Sequence, residues 1–241
     1  MNIKDLIVPY NDPIPTRSVD SVLPVFYREI LKTLSIDEGR FLVCVDRYVR
    51  RTTTPEELKE VSSIRGNLRK ELMRSVMTWK VFIKGLRVIN VRKLDIGLHV
   101  EFQTSDDENA VKEASVLYRV NLEPKLGVLP DEIVKTDTIL AHMFKDIMFK
   151  AGVTMTHFMR LIADYIIKAN IPTNVKEISS TRGNLKKELF KSSITWKVFI
   201  KALSFLHVRR FTLGVYLHHQ NGRITEHKRS VSIDDVGDNL E

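Results

Sequence analysis

One cysteine, Cys44, is all the chain has in 241 residues. A lone thiol closes no internal disulfide and builds no thiolate zinc site, so a reducing cytoplasm is the expected compartment. No apolar run reaches the roughly 18 residues of a membrane span, and MNIKDLIVPYNDPIPTRS has neither an apolar signal core nor an Arg-rich amphipathic pattern. No membrane association is expected. A Gly-rich phosphate loop, a Gly-x-Ser-x-Gly elbow and a His-Glu-x-x-His helix are all missing, which argues against an enzyme and implies no cofactor. Acidic residues are in the minority, 30 against 38 Lys+Arg, for a net charge of +8. The first partner class to consider is therefore negatively charged, with nucleic acid ahead of other anions.

What is present is a duplication. Shifting the chain by 117 positions lays SSIRGNLRKELMRSVMTWKVFIKGL, 62–86, on SSTRGNLKKELFKSSITWKVFIKAL, 179–203, with 18 of 25 residues identical and no gap. The same offset matches Ile30 with Ile147, Phe41 with Phe158, Tyr48 with Tyr165, Pro55 with Pro172 and Gly97 with Gly214. The expected organisation is an extended Pro-rich arm over 1–23, a first unit over 24–122, a connector over 123–140, a second unit over 141–233 and an acidic tail over 234–241.

Within each unit the apolar period is first helical and then strand-like. Stripes such as Phe41, Leu42, Val45 and Val49 predict helices over 24–34 and 38–50, and a short helix is expected at 55–61. Gly66-Asn67 reads as a turn and N-cap, with Asn184 in the same role in the second unit. A helix then runs from Leu68 to about Arg74, and Thr78 caps another from Trp79 to about Asn90. The two helices would be joined by a turn of three or four residues. Alternation at Phe211, Leu213, Val215 and Leu217, then Asn221-Gly222, then a returning run to Ile233 predicts a hairpin; strands near 94–102 and 114–122 match it in the first unit. Helices followed by a hairpin are the element order of a winged helix. The expected fold class is mainly α with β-hairpins (α+β), a tandem duplication of a winged-helix-like unit.

Charge concentrates at equivalent places. Over 62–93, Arg65, Arg69, Lys70, Arg74, Lys80, Lys84, Arg87, Arg92 and Lys93 face Glu71 alone; over 179–210, Arg182, Lys186, Lys187, Lys191, Lys197, Lys201, Arg209 and Arg210 face Glu188 alone. The segments carry +8 and +7, so the remainder is acidic at −7. A mixed surface serves solubility better than this division does, and the division fits phosphate contacts, with DNA favoured over RNA. A merely solvated basic helix face would contain the same residue types. Trp79 and Trp196 fall on apolar stripes and read as core anchors. His218, His219 and His227 are the one metal-like cluster, but pairing about Asn221-Gly222 sets His219 opposite Ile224 and His227 opposite Tyr216, and neighbouring strand residues point to opposite faces. No metal site is expected, and Cys44 reads as a small buried residue.

The pairing of RGNL-(Arg/Lys)-KEL with TWKVFIK resembles blocks carried by proteins of T-even-type tailed bacteriophages. That resemblance implies a phage origin, with transcription control, genome handling and virion assembly all open and no functional residue carried over. Two function classes follow. One is a non-enzymatic protein that binds duplex nucleic acid through the seventeen basic residues named above. The other is a virion or assembly protein whose basic faces and N-terminal arm meet host or phage proteins.

Overall fold

The computed structural model describes residues 2, 4, 6, 21–52, 58–103, 112–122, 138–168 and 175–233. The first repeat contributes α1 (Val22–Thr33), α2 (Glu38–Thr52), α3 (Leu58–Leu72), α4 (Trp79–Val88), β1 (Val91–Phe102) and β2 (Glu113–Asn121). The second contributes α5 (Ile139–Lys150), α6 (Met155–Lys168), α7 (Val175–Leu189), α8 (Trp196–Phe205), β3 (Val208–His219) and β4 (Ile224–Ser232). The class is α+β: eight helices and four antiparallel strands among the described residues.

Local chemistry explains several boundaries. Thr78 and Thr195 are extended N-caps whose hydroxyls accept from the N–H groups of Val81 and Val198 at 3.3 and 3.2 Å. The second hairpin turns through Gly222 at φ +79°, with Gly222 N–H donating to the His219 carbonyl and His219 N–H to that of Arg223. This is a three-residue loop with glycine in the left-handed region.

The sheet order β2-β1-β3-β4 joins the two hairpins into one sheet. In the central pair Gly97 stands opposite Gly214, Leu94 opposite Leu217 and Val100 opposite Phe211. Gly97 and Gly214 are repeat equivalents, so the pairing places a pseudo-two-fold axis between them. The same axis passes between Trp79 and Trp196, also equivalents, whose rings stack at 6.2 Å and 10° on the helical side. Leu94, Ile96, Leu98 and Val100, with Phe211, Leu213, Val215 and Leu217, turn one face of the sheet into the helices and form the core.

Each repeat reaches across the axis. Arg229 on β4 pairs with Glu29 on α1 at 2.6 Å, and Tyr118 on β2 donates to Asp146 on α5. Glu29 and Asp146 are equivalents, and Tyr118 and Arg229 occupy matching places on the outer strands. The first helix of each repeat therefore packs over the outer strand of the other, as in an intertwined dimer built into one chain.

On the opposite face Leu6 is fully buried across the axis. A Cβ on Gly97 would stand 2.8 Å from Leu6 Cβ, and one on Gly214 would stand 2.7 Å from the Leu6 carbonyl oxygen, so only glycine admits this crossing. Tyr216 donates to the Asn2 carbonyl at 2.8 Å and fastens the same segment.

Several expectations change. Gly66-Asn67 is neither turn nor cap: α3 runs through it as one helix, and Asn184 likewise lies inside α7. A mid-helix glycine costs about 1 kcal/mol; the buried Leu68 and Leu72 and two ion pairs to α2 outweigh it. Residues 73–78, not three or four, separate α3 from α4. Neither hairpin projects as a free wing, because β1 and β3 pair with each other along their length. The hairpin register also differs by one: His218 faces Ile224, and His227 faces Val215. The chain is already helical at Val22, inside the expected arm, and Asn2 and Leu6 contact its own sheet. The 55–57 start of the expected short helix, most of the connector and the tail lie outside the described residues.

Candidate nucleic-acid interface

The two basic helix pairs, α3–α4 and α7–α8, have the same backbone plan and different electrostatics. In the first repeat α2 supplies carboxylates. Arg65 Nη1 donates to Asp46 Oδ1 at 2.7 Å, and Arg69 pairs with Glu38. Asp46 also receives Arg50 at 2.7 Å; the hydrogen bond from Arg50 and then that from Arg65 hold its carboxyl below the usual range, against the opposing effect of burial. Lys84 Nζ donates to Glu71 Oε2 at 2.9 Å. Arg87 turns inward beside Tyr48, and burial lowers its pKa although Tyr48 opposes the shift. Of the residues of α3, α4 and the turn between them, Lys70, Arg74 and Lys80 remain exposed without an ion pair among the described residues.

In the second repeat the two carboxylates of α2 have no counterpart: Ala163 stands where the first repeat has Asp46, and Met155 where it has Glu38, while Glu188 keeps the place of Glu71. Arg182, Lys186, Lys187, Lys191, Lys197 and Lys201 have no ion pair among the described residues, and Ser204 replaces Arg87. Lys186, Lys187 and Lys191 are exposed; Arg182, Lys197 and Lys201 are half-buried. A cation with no internal carboxylate keeps its full charge for an external anion, whereas a paired one must first lose its partner.

The strand residues fall elsewhere. Arg92 is exposed and Lys93 half-buried on β1; Arg209 pairs with Glu101 at 3.1 Å and Arg210 is half-buried on β3. These four lie on the sheet, apart from the helical cations. Segment-by-segment charge counting also misses Arg28 and Lys32 on α1 and Arg40, Arg47 and Arg51 on α2, which precede the duplicated blocks. Their i, i+4 and i, i+7, i+11 spacing was the available signal.

The exposed face of α3 and α7 is nearly the same in both repeats: Ser62 and Ser179, Ser63 and Ser180, Gly66 and Gly183, Asn67 and Asn184, Lys70 and Lys187. A Cβ on either glycine would meet nothing within 4 Å, so no contact inside the chain requires it.

The histidines divide between the two faces of the sheet. His218 Nε2 lies 2.7 Å from Asp95 Oδ2, and Arg119 Nε donates to Asp95 Oδ1 at 2.6 Å. Burial pushes the Asp95 carboxyl up, but its bonds to Arg119 and His218 and their charges outweigh this and hold it below the usual range. His219 and His227 do converge, both within hydrogen-bond distance of Thr225 Oγ1, at 2.9 and 3.1 Å, which the one-residue change of register makes possible. Among the described residues no group of three or more His, Cys, Asp or Glu side chains is placed to hold a metal ion. Cys44 is half-buried against the core, and Trp79 and Trp196 are core residues, 3% and 2% exposed. No helix among the described residues is long and apolar enough to cross a membrane.

Comparison with protein-family models, curated proteins and solved structures finds no match to this chain.

Proposed function

We propose that this chain is a non-enzymatic nucleic-acid-binding protein that favours duplex DNA, and that its second repeat carries most of the phosphate contact. The observation behind this reading is the set of six cations on and beside α7 and α8, Arg182, Lys186, Lys187, Lys191, Lys197 and Lys201, that no carboxylate engages among the described residues. Phosphate contacts dominate such an interface and require no base-specific side chain. In the first repeat Lys70, Arg74 and Lys80 contribute, while Arg65, Arg69 and Lys84 serve mainly to tie α2, α3 and α4 together.

The shared face of α3 and α7 supports the same reading. Glycine inside a helix costs about 1 kcal/mol relative to alanine, and both repeats carry it where nothing in the chain needs the space. A bare helix surface flanked by lysines lets a sugar–phosphate backbone approach closely. The pseudo-two-fold axis relates the two faces as a dimer would, which suits a duplex better than a single strand. The resemblance of the element order to a winged helix is not needed, since the wing strands lie within the sheet.

A labelled duplex of about thirty base pairs, titrated at low salt beside the matching single strand and polyglutamate, tests this. The proposal expects submicromolar duplex affinity that excess polyglutamate does not abolish, typical of multi-phosphate binding. Preference for polyglutamate would instead favour the assembly reading, in which the basic faces meet acidic protein surfaces.

A further inference from the structure

The two repeats differ at the corner where their first three helices meet. Between α1, α2 and α3 lies an open groove of about 1270 Å³, with Leu31, Ile36, Phe41 and Met73 on its floor and Arg28, Lys32, Lys70 and Arg74 around its rim. The two carboxylates in the groove are already engaged: Asp37 Oδ1 accepts from Arg40 N–H at 2.8 Å, and Glu38 is paired with Arg69. The four rim cations have no ion pair among the described residues, and Met73 is 39% exposed. The groove is thus apolar below and positive above.

The fold does not oblige the chain to leave it open. In the second repeat Phe190 stands where the first has Met73, and its ring packs on Phe144 at 6.0 Å and Phe158 at 5.8 Å. One aromatic side chain joins the three helices at that corner. The smaller, flexible methionine does not, and thioethers of this kind recur at surfaces that receive a partner.

We propose that this groove docks an acidic amphipathic helix of a partner protein. The volume exceeds the roughly 300–1,000 Å³ of small-molecule pockets and suits several side chains in a row. An apolar floor bordered by cations matches a helix with leucine-like residues at i, i+3/i+4 and i+7 and carboxylates on its flanks. A nucleic acid would satisfy the rim and leave the floor without a complementary surface. The groove shares Gly66, Lys70 and Arg74 with the first repeat's part in the phosphate reading and no residue with the second repeat, which carries most of it.

The test uses the full chain and a fluorescent helical peptide of roughly sixteen residues, about 24 Å long, with leucines on one face and glutamates beside them; a scrambled peptide of equal composition is the control. Two variants block the groove without removing a charge. Gly66→Leu projects a side chain from the groove wall where a Cβ meets nothing within 4 Å, and Met73→Phe installs the residue of the second repeat. Gly183→Leu is the matched control. The expected result is micromolar binding of the amphipathic peptide, at least about tenfold weaker for the scrambled one, as loss of a central apolar anchor implies. Gly66→Leu and Met73→Phe should weaken it similarly and Gly183→Leu should not. Equal affinity for both peptides, or indifference to both groove variants in chains that melt as the parent does, would overturn the proposal. So would duplex DNA displacing the peptide from a Lys186→Glu, Lys187→Glu, Lys191→Glu variant as well as from the parent, since that places nucleic acid in the groove itself. Peptide binding by a chain that binds no DNA would leave this inference standing while the phosphate reading falls.

Discussion

Replacing Lys186, Lys187 and Lys191 with alanine removes three exposed cations that no carboxylate engages among the described residues. If each meets one phosphate, the log–log dependence of the DNA association constant on salt should become shallower by about 2.7, at roughly 0.9 per contact. Extrapolated from molar salt, where the counterion contribution vanishes, the same loss is roughly 500-fold in affinity at 0.1 M. The matched triple in the first repeat, Arg69, Lys70 and Arg74, contains one residue already tied to Glu38. It should change the slope by at most about 1.8, because only two of its cations lack an ion pair among the described residues. Fluorescence anisotropy at four salt concentrations measures both slopes, and thermal melts should show both proteins folded, since surface substitutions of this kind cost within about 0.5 kcal/mol. Equal slope changes for the two triples would refute the argument that internal carboxylates silence the first repeat. No change in either would remove α3 and α7 from the interface.

Other expectations concern the frame that holds these helices. Burial, aided by the charges of His219, Arg229 and Arg223, pushes His227 down to about 4. The unfolded chain, with a histidine near 6.5, binds more protons between those values, so stability is full above about pH 6.5 and falls by about 3 kcal/mol as pH drops through 4. Urea midpoints of His227→Gln should show a flatter pH profile over this window, and an unchanged profile would contradict the assignment. Asp95→Ala should cost about 2 kcal/mol at neutral pH through its lost charged hydrogen bonds; a cost below about 0.5 kcal/mol would mean the cluster is idle. Because the Asp95 carboxyl is depressed, its contribution is present above about pH 3.9 and lost as pH falls through its folded value. Gly214→Val should cost about 1–3 kcal/mol, because its Cβ meets the Leu6 carbonyl oxygen and drives that backbone from the axis; a Gly214→Val chain as stable as the parent would contradict the crossing.

Local rules read the termini of the helices well and the partnership of the repeats poorly. The Thr78 and Thr195 caps depend on one hydroxyl and the next turn of backbone, so spacing alone found them. Gly66-Asn67 carries a turn signal but stays helical, because the cost of about 1 kcal/mol for glycine in a helix is smaller than the packing of the buried Leu68 and Leu72. The Asn-Gly turn is legible, but its three-residue loop in place of two shifts the register, and only that shift brings His219 to the face of Thr225 and His227. The pairing of β1 with β3 joins strands more than a hundred residues apart and leaves no periodic trace. Its one sequence hint was a strand glycine at the same repeat position, Gly97 and Gly214, which signals close backbone approach. The basic residues are legible as a set, but their neutralisation is not, since Asp46 and Glu38 lie on α2, outside the duplicated block that carries the cations.

The central claim is that the α7–α8 face binds nucleic-acid phosphate, and the salt dependence of the parent protein on a duplex of about thirty base pairs tests it most directly. The six cations without an ion pair among the described residues set a limit near −5.4 on the log–log slope from the second repeat alone, and a measured slope steeper than about −4 is the predicted result. No binding at low salt, or binding whose strength ignores salt, would contradict it.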